Sequence, residues 1–307
     1  MIAGPESPGP GDCALETTIR GCETMLRLNC RLCGAVIVPA GVGAYFRCPA
    51  CGGLFLAAPP TAPANAPFTG PEARRCEAAD LERSAYFRGR LADAMRRTGP
   101  VANAPRLVDV GCGAGILLAE AAARGWQVAG VELSPELAAM ARARVPGAVI
   151  VCGDAVGAPA WPWPGQADLV IALDVLEHVA EPTLLLARCR AALRPGGVLL
   201  LQTPNARSLR ARWQRERWPM LDPAQHLVLY PPRELRRALQ AAGFAVVSCR
   251  TVSGTGCETG LARAIAVLRG AVLAAGGLGN AVLLVGRAQC ASPGPTDYGS
   301  VTNDNPR

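Results

Sequence analysis

The chain has 307 residues, half of them apolar, and a formal net charge of +7 whose positive side is all arginine, there being no lysine. That length holds one good-sized α/β domain, a small module and loose ends, while the Arg, Ala, Gly and Pro richness marks a coding-composition bias that leaves only local Arg clusters as evidence for an anionic partner. Thirteen cysteines scatter through apolar segments with no signal peptide ahead of them, which excludes a secreted disulfide scaffold and points to a reducing cytoplasm.

In chain order, residues 1–25 have no periodicity and many turn-formers, the pattern of a disordered N-terminus; Met25 is a candidate start. Residues 26–57 form a cysteine-bounded module. NCRLCG and RCPACGG place Cys30, Cys33, Cys48 and Cys51 in two Cys-x-x-Cys knuckles separated by fourteen residues. Two such knuckles aim four thiolates at one centre, the spacing of a structural Zn2+ site, with redox-active cysteines as the alternative. A module this short has too little core to fold alone, so the metal would supply its folding energy. Residues 58–76 read as a Pro/Ala linker, extended and semi-rigid. ADLERSAYFRGRLADAMRRTG (79–99) then reads as one helix ending at a glycine.

From Arg106 strands and helices alternate. RLVDV, WQVAGVE, VIVCGD, ADLVIALD and GGVLLLQTP are strands, and AGILLAEAAARG, SPELAAMARARV and EPTLLLARCRAAL are the helices between them. PPRELRRALQAAGF, AVVSC and NAVLLVGRA close the series as helix, strand, strand. The alternation predicts a parallel, doubly wound sheet with helices on both faces over residues 77–289. GTGCETG (254–260) reads as a loop and residues 290–307 as a disordered tail. No apolar run reaches membrane-span length. The nearest, 261–286, is broken by Arg263, Arg269 and glycines, and reads as a core helix leading into a strand rather than a peripheral membrane contact.

VDVGCGAG (108–115) is the sharpest functional signal. A buried strand ends in Asp109, and Gly111, Gly113 and Gly115 turn the chain into a helix, letting backbone approach a ligand. Glu132 ends the next strand, where a carboxylate can accept ribose hydroxyls. A nicotinamide dinucleotide competes for such a loop. Yet the strand ends around it carry Asp109, Glu132, Asp154 and Asp174, a crowd that repels a pyrophosphate and welcomes the sulfonium and ammonium of S-adenosylmethionine.

VDVGCGAG, GVELSPELAAMAR, CGDA, ADLVIALDVLEHV, LRPGG, LLLQTPN and HLVLYPPRELRRALQAAGF, in this order over residues 86–287, resemble a class I S-adenosylmethionine-dependent methyltransferase. The resemblance implies a seven-stranded sheet in order 3-2-1-4-5-7-6 with the last strand antiparallel. It also implies that Asp109 and the three glycines hold the methionine end of the cofactor. By the same carry-over Glu132 and Leu133 lie at the ribose, Asp154 and Ala155 at the adenine, and Leu173 and Asp174 at the sulfonium side.

The two histidines stand at LDVLEHV (173–179) and in DPAQHLVLYPP. Asp174 and Glu177 form a D-x-x-E capping box on a simple reading. On a helical turn 174, 177 and 178 also share a face at a ligand-bearing sheet edge. Similar E/D-x-x-E-H segments occur in ubiquinone-pathway O-methyltransferases and in small-RNA 3′-end 2′-O-methyltransferases. The resemblance makes Asp174, Glu177, His178 and His226 candidates for a divalent ion such as Mg2+. Either histidine is equally a candidate general base, or plain pocket lining. Between them ARSLRARWQRERWPMLDPAQH (206–226) interleaves Trp213 and Trp218 with five arginines, either as a substrate lid or as an amphipathic helix with Trp inward.

The expected function is methyl transfer from S-adenosylmethionine to an oxygen of a small-molecule metabolite. An RNA methyltransferase gripping nucleic acid with ribbon and Arg/Trp segment is the runner-up. A non-catalytic zinc-ribbon interaction protein is the third reading.

Overall fold

The cysteine module forms five short strands, β1 (Leu28–Asn29), β2 (Val36–Ile37), β3 (Ala40–Val42), β4 (Tyr45–Arg47) and β5 (Leu54–Leu56). The structure, a computed structural model, describes residues 28–30, 32–37, 40–57, 67–99, 101, 104–158, 160–253, 273 and 276–289. The expectations for residues 1–25, 254–260 and 290–307, and for most of the apolar stretch 261–275, therefore lie outside the described residues.

Two expectations about the next segment are corrected. The linker does not run to residue 76, because Pro71 opens helix α1 (Pro71–Glu82) at its first turn, with Glu72 beside it. Nor is 79–99 one helix: the chain breaks at Arg83 and restarts as α2 (Ser84–Thr98), which ends at Gly99, whose φ of +70° favours glycine. Ala73 is the one side chain α1 buries, so its apolar periodicity is too faint to separate it from a Pro/Ala linker.

The alternation then builds β6 (Arg106–Val110), α3 (Ile116–Ala122), β7 (Gln127–Glu132), α4 (Pro135–Arg144), β8 (Val149–Cys152), β9 (Ala167–Leu173), α5 (Pro182–Ala192) and β10 (Leu193–Pro204). Helix α6 (Leu209–Gln214), strand β11 (Val228–Leu229), helix α7 (Pro232–Ala241), β12 (Phe244–Val252) and β13 (Ala281–Ala288) follow. The main sheet runs β12-β13-β10-β9-β6-β7-β8, and β13 is antiparallel to both its neighbours. Numbered along the sheet's own strands this is 3-2-1-4-5-7-6, as the resemblance implied. The residues of β6, β9 and β10 are buried almost throughout, which is why they read as continuous apolar runs.

The ribbon is built into the same body. β11 leaves the C-terminal part of the chain to pair antiparallel with β5, Val228 opposite Phe55 and Leu229 opposite Leu54. Tyr45, Leu54 and Phe55 share one apolar cluster with Leu229, Tyr230 and Leu185 from the other side. Because β6, β7 and β9 point the same way, their carboxyl ends bring Asp109, Glu132 and Asp174 to one sheet edge.

Candidate functional site: an acidic cavity with a histidine pair at its wall

A cavity of about 1230 Å3 opens at that edge. Asp109, Gly111, Gly113, Glu132, Leu133, Asp154, Ala155, Leu173, Asp174 and His178 all line it. Glu132 accepts the backbone N–H of Gly113 and of Ser134, each at 2.9 Å. The glycine loop is thereby tied to the end of β7, with Gly111 N–H and Cys112 N–H donating to Val131 C=O. Gly111 has φ +69°, and a Cβ there would lie 2.7 Å from Val175 Cγ2 at the cavity wall. Gly115 is different. It does not line the cavity; at φ +78° it caps α3, and a Cβ would press to 3.0 Å on the Ala141 backbone of α4. Its task is helix packing.

α1 and the break that follows it line the cavity and add groups that sequence reasoning missed: Glu72, Cys76 and Asp80 from the helix and Arg83 from the break. Glu72 and Cys76 were hidden in the stretch taken for linker, and Asp80 and Arg83 in the stretch 79–99 read only as a helix. Burial pushes Asp80 up to about 6, with Arg83 pulling the other way and Asp174 and Glu132 adding to the rise. Burial, followed by Glu132 and Asp80, holds Asp109 well above the usual carboxylate range, and burial also raises Glu132. Several partly desolvated carboxyl groups thus face one cavity in which their negative charges repel one another, and a cation would relieve that repulsion.

Asp174 departs from its expected role. It sits at φ +56°, the short turn Leu176–His178 follows Val175 without any side-chain cap, and so no capping box forms. Its carboxylate instead accepts Gln202 Nε2 at 3.0 Å and pairs with Arg83 at 3.3 Å. Left-handed backbone at a non-glycine residue costs energy, and strain of this kind concentrates at functional sites.

The other three members of that expected set do meet. One ligand atom each from Glu177, His178 and His226 lie within 4.8 Å of one another, and the two rings stand 4.9 Å apart. Asp174 is not in this cluster. His178 lines the cavity, whereas His226 does not, although its neighbours Gln225 and Leu227 do. Nδ1 of His178 donates to Gln225 C=O at 2.9 Å, and Nδ1 of His226 donates to Met220 C=O at 2.8 Å. A carbonyl only accepts, so the Nδ1 atoms carry the protons, and the neutral tautomer of each ring has its lone pair on Nε2. Burial, then His226, lowers the His178 pKa and keeps it neutral near pH 7. Glu177 is buried and accepts Thr203 Oγ1 at 2.9 Å; burial, then Asp174, raises its pKa strongly.

The cysteines form a second constellation. All four Sγ atoms lie within 4.8 Å of one another, with Cys30–Cys51 and Cys33–Cys48 at 3.8 Å. Tetrahedral zinc at about 2.3 Å per bond requires S···S edges of about 3.8 Å, and a disulfide about 2.0 Å. Both knuckles make the same turn: Gly34 N–H donates to Cys30 C=O and Gly52 N–H to Cys48 C=O, each at 2.8 Å. Leu32 N–H reaches Cys30 Sγ and Cys51 N–H reaches Cys48 Sγ, each at 3.4 Å. The donor set fits zinc.

Residues 83–249 match a protein family described as a methyltransferase domain. The chain belongs to this methyltransferase family. It is 32% identical over 176 residues to the ubiquinone biosynthesis O-methyltransferase of Sinorhizobium fredii, covering 53% of this chain and 71% of that protein. It is 38% identical to the enzyme of that name from Xanthomonas euvesicatoria over 103 residues, 43% of that protein's length. Among solved structures, a complex of the Haloferax volcanii Trm112 methyltransferase activator with a methyltransferase aligns with TM-score 0.52 at 20% identity, covering 72% of this chain and 95% of that one. That last likeness shows the fold alone. The methyltransferase is thus of the S-adenosylmethionine-dependent class, and the acid-lined cavity is a fitting berth for that cationic cofactor.

The Arg/Trp segment of the methyltransferase splits between its two readings. Trp218 is buried and Trp213 is 81% exposed, so the two do not form one stacking face or one inward stripe. No helix among the described residues is long and apolar enough to cross a membrane.

Proposed function

We propose that this methyltransferase transfers the methyl group of S-adenosylmethionine to a hydroxyl oxygen of a small metabolite, with His178 taking the proton. The supporting observation is that His178 lines the same cavity as Asp109 and Glu132, so a base stands beside the cofactor berth. S-adenosylmethionine, when bound, supplies an electrophilic methyl group; the chain's part is alignment and proton removal. Asp109, Glu132 and the glycine loop would orient the cofactor, while Asp154 and Ala155 line its far end. Leu173 and Asp174 would face its sulfonium. The relatives named for ubiquinone biosynthesis favour a quinone-type, hydroxyl-bearing substrate.

The closeness of Glu177, His178 and His226 favours a second use of the same groups. Two imidazoles and a carboxylate suit a divalent ion, which would bind a substrate hydroxyl and ease loss of its proton. Cys30, Cys33, Cys48 and Cys51 would hold structural zinc. Transfer of radiolabelled methyl to a panel of catechols and phenols tests the main reading, run on metal-stripped enzyme with and without added Mg2+. No labelled product from any hydroxyl compound, with S-adenosylhomocysteine still bound, would refute O-methylation of this class. Equal rates with and without the ion would leave His178 as the base and remove the metal.

A further inference from the structure

We infer that the cysteine ribbon positions His226, and that Tyr45 is the positioning residue that does so. The inference rests on the reading of His226 as the second imidazole of the site. His226 belongs to a stretch without regular secondary structure, residues 219–227, just ahead of β11. Inside it the His226 ring donates to Met220 C=O and the His226 N–H to Asp222 C=O, but both partners belong to the same irregular stretch. The stretch itself is anchored from the ribbon side. The Tyr45 hydroxyl donates to the His226 carbonyl at 2.7 Å across 181 residues of sequence, and Tyr45 is 1% exposed. One residue on, Leu56 N–H donates to Leu227 C=O at 3.1 Å, and two residues on the β5–β11 pairing begins. From the opposite side Leu227 N–H donates to Glu177 C=O at 2.7 Å. The segment is therefore clamped between the ribbon strand and the turn that carries Glu177 and His178.

The ribbon end of this clamp depends on the knuckles. β4 ends at Arg47 directly before Cys48, and β5 starts at Leu54 directly after the Cys51-Gly52-Gly53 turn. Tyr45 and Leu56 face each other in the β4–β5 register, so both donors to the 226–227 backbone come from one hairpin whose loop holds two of the four thiols. If metal sets the fold of that hairpin, its occupancy reaches His226. The route meets the cavity wall at Leu227 and His178 but passes none of the groups that would hold the cofactor, Asp109, Glu132 and the glycine loop at the ends of β6 and β7. Loss of the ribbon's order should disturb one histidine and spare cofactor binding.

Two histidines in the whole chain make this measurable without knowing the substrate. Protein purified without a polyhistidine tag gives two imidazole Cε1–H resonances by proton NMR, assigned with His226→Ala. Tyr45→Phe removes the hydrogen bond and keeps the ring. The His226 resonance should shift or broaden in that variant, while S-adenosylhomocysteine binding by calorimetry stays within about threefold of the parent. Cys33→Ser, with its zinc content measured, should broaden the same resonance further and leave cofactor affinity in the same range. A His226 signal unchanged in both variants would overturn the proposal. So would a cofactor affinity falling tenfold or more in step with that signal, because the ribbon would then be bracing the whole fold. Whether His226 serves the transfer is read separately, from methyl transfer by His226→Ala; an active His226→Ala enzyme would sink that reading while the NMR coupling stood.

Discussion

Cofactor affinity should rise with pH between 5 and 7, and Asp80 should be the group responsible. It lines the cavity with Asp109 and Glu132, and its carboxyl group is pushed up to about 6 by burial. A proton on Asp80 removes one negative charge from the space a sulfonium would enter. With a pKa of about 6 the carboxylate is roughly nine-tenths ionised at pH 7 and one-tenth at pH 5, so a cofactor that needs it ionised binds about tenfold more weakly at pH 5. The ligand's own ammonium and carboxylate keep their charges across this window. The linkage has an opposite face in the cofactor-free protein. A carboxyl group whose folded pKa is raised stabilises the fold below its unfolded value near 3.8, and that contribution is lost as pH rises through about 6. Asp80→Asn should therefore flatten the pH dependence of binding and raise the melting temperature of the empty protein at pH 7. Calorimetric titration with S-adenosylmethionine and with neutral-sulfur S-adenosylhomocysteine, from pH 5 to 7, reads this directly. The tenfold slope should be steeper for the sulfonium ligand. A slope unchanged in Asp80→Asn would refute the argument.

The two glycines should separate cofactor binding from stability. Gly111→Ala puts a methyl 2.7 Å from Val175 Cγ2 at the cavity wall and should weaken S-adenosylhomocysteine binding about tenfold or more by calorimetry. Gly115→Ala meets the Ala141 backbone at 3.0 Å and should lower stability by about 1–3 kcal/mol in urea titrations, with cofactor affinity per folded molecule unchanged. Cys48→Ser should abolish stoichiometric zinc by atomic absorption and lower the melting temperature by about 8–16 °C, the size expected for losing about 4 kcal/mol of metal-derived stability. Glu177→Gln keeps a partner for the Thr203 hydroxyl but gives up the carboxylate. If a divalent ion sits there, its affinity should fall at least about tenfold by titration while the melting temperature holds; equal affinity in the variant would exclude Glu177 as a ligand.

Much of the fold was legible because period-two and buried runs dominate from Arg106 onward, and a parallel sheet covered by helices leaves them unmistakable. The cofactor edge was legible for a related reason: Asp109, Glu132 and Asp174 each end an apolar strand, so the strand boundary marks the ligand edge without any tertiary information. The first two turns of α1 were not legible, because the helix buries little more than Ala73 and carries Pro at its start, features it shares with an extended linker. Its contribution is electrostatic, through Asp80 with Arg83 at the break just beyond it, and no periodicity records that. The D-x-x-E capping box failed for a complementary reason. Asp174 has two strong partners in space, Arg83 and Gln202, which are 91 and 28 residues away in sequence. Those two contacts outbid a local N–H that a short turn never presents.

The pairing of the histidines follows from topology rather than from spacing. His178 and His226 are 48 residues apart, and between them lie an entire helix, the fifth strand of the alternating series and the Arg/Trp segment. They meet because β11 must reach the ribbon. To pair with β5, the chain after Trp218 has to cross the turn at Leu176–His178, and Leu227 N–H bonds to Glu177 C=O on the way. A methyltransferase sheet alone supplies no strand for β11 to join, and β11 alone is two residues long, too short to persist without a partner. The strand that recruits it is the one that closes the cysteine knuckle. Cysteine module and imidazole pair are consequently joined through one strand, and the part of the chain that looked most like an appendage supplies the partner that β11 needs.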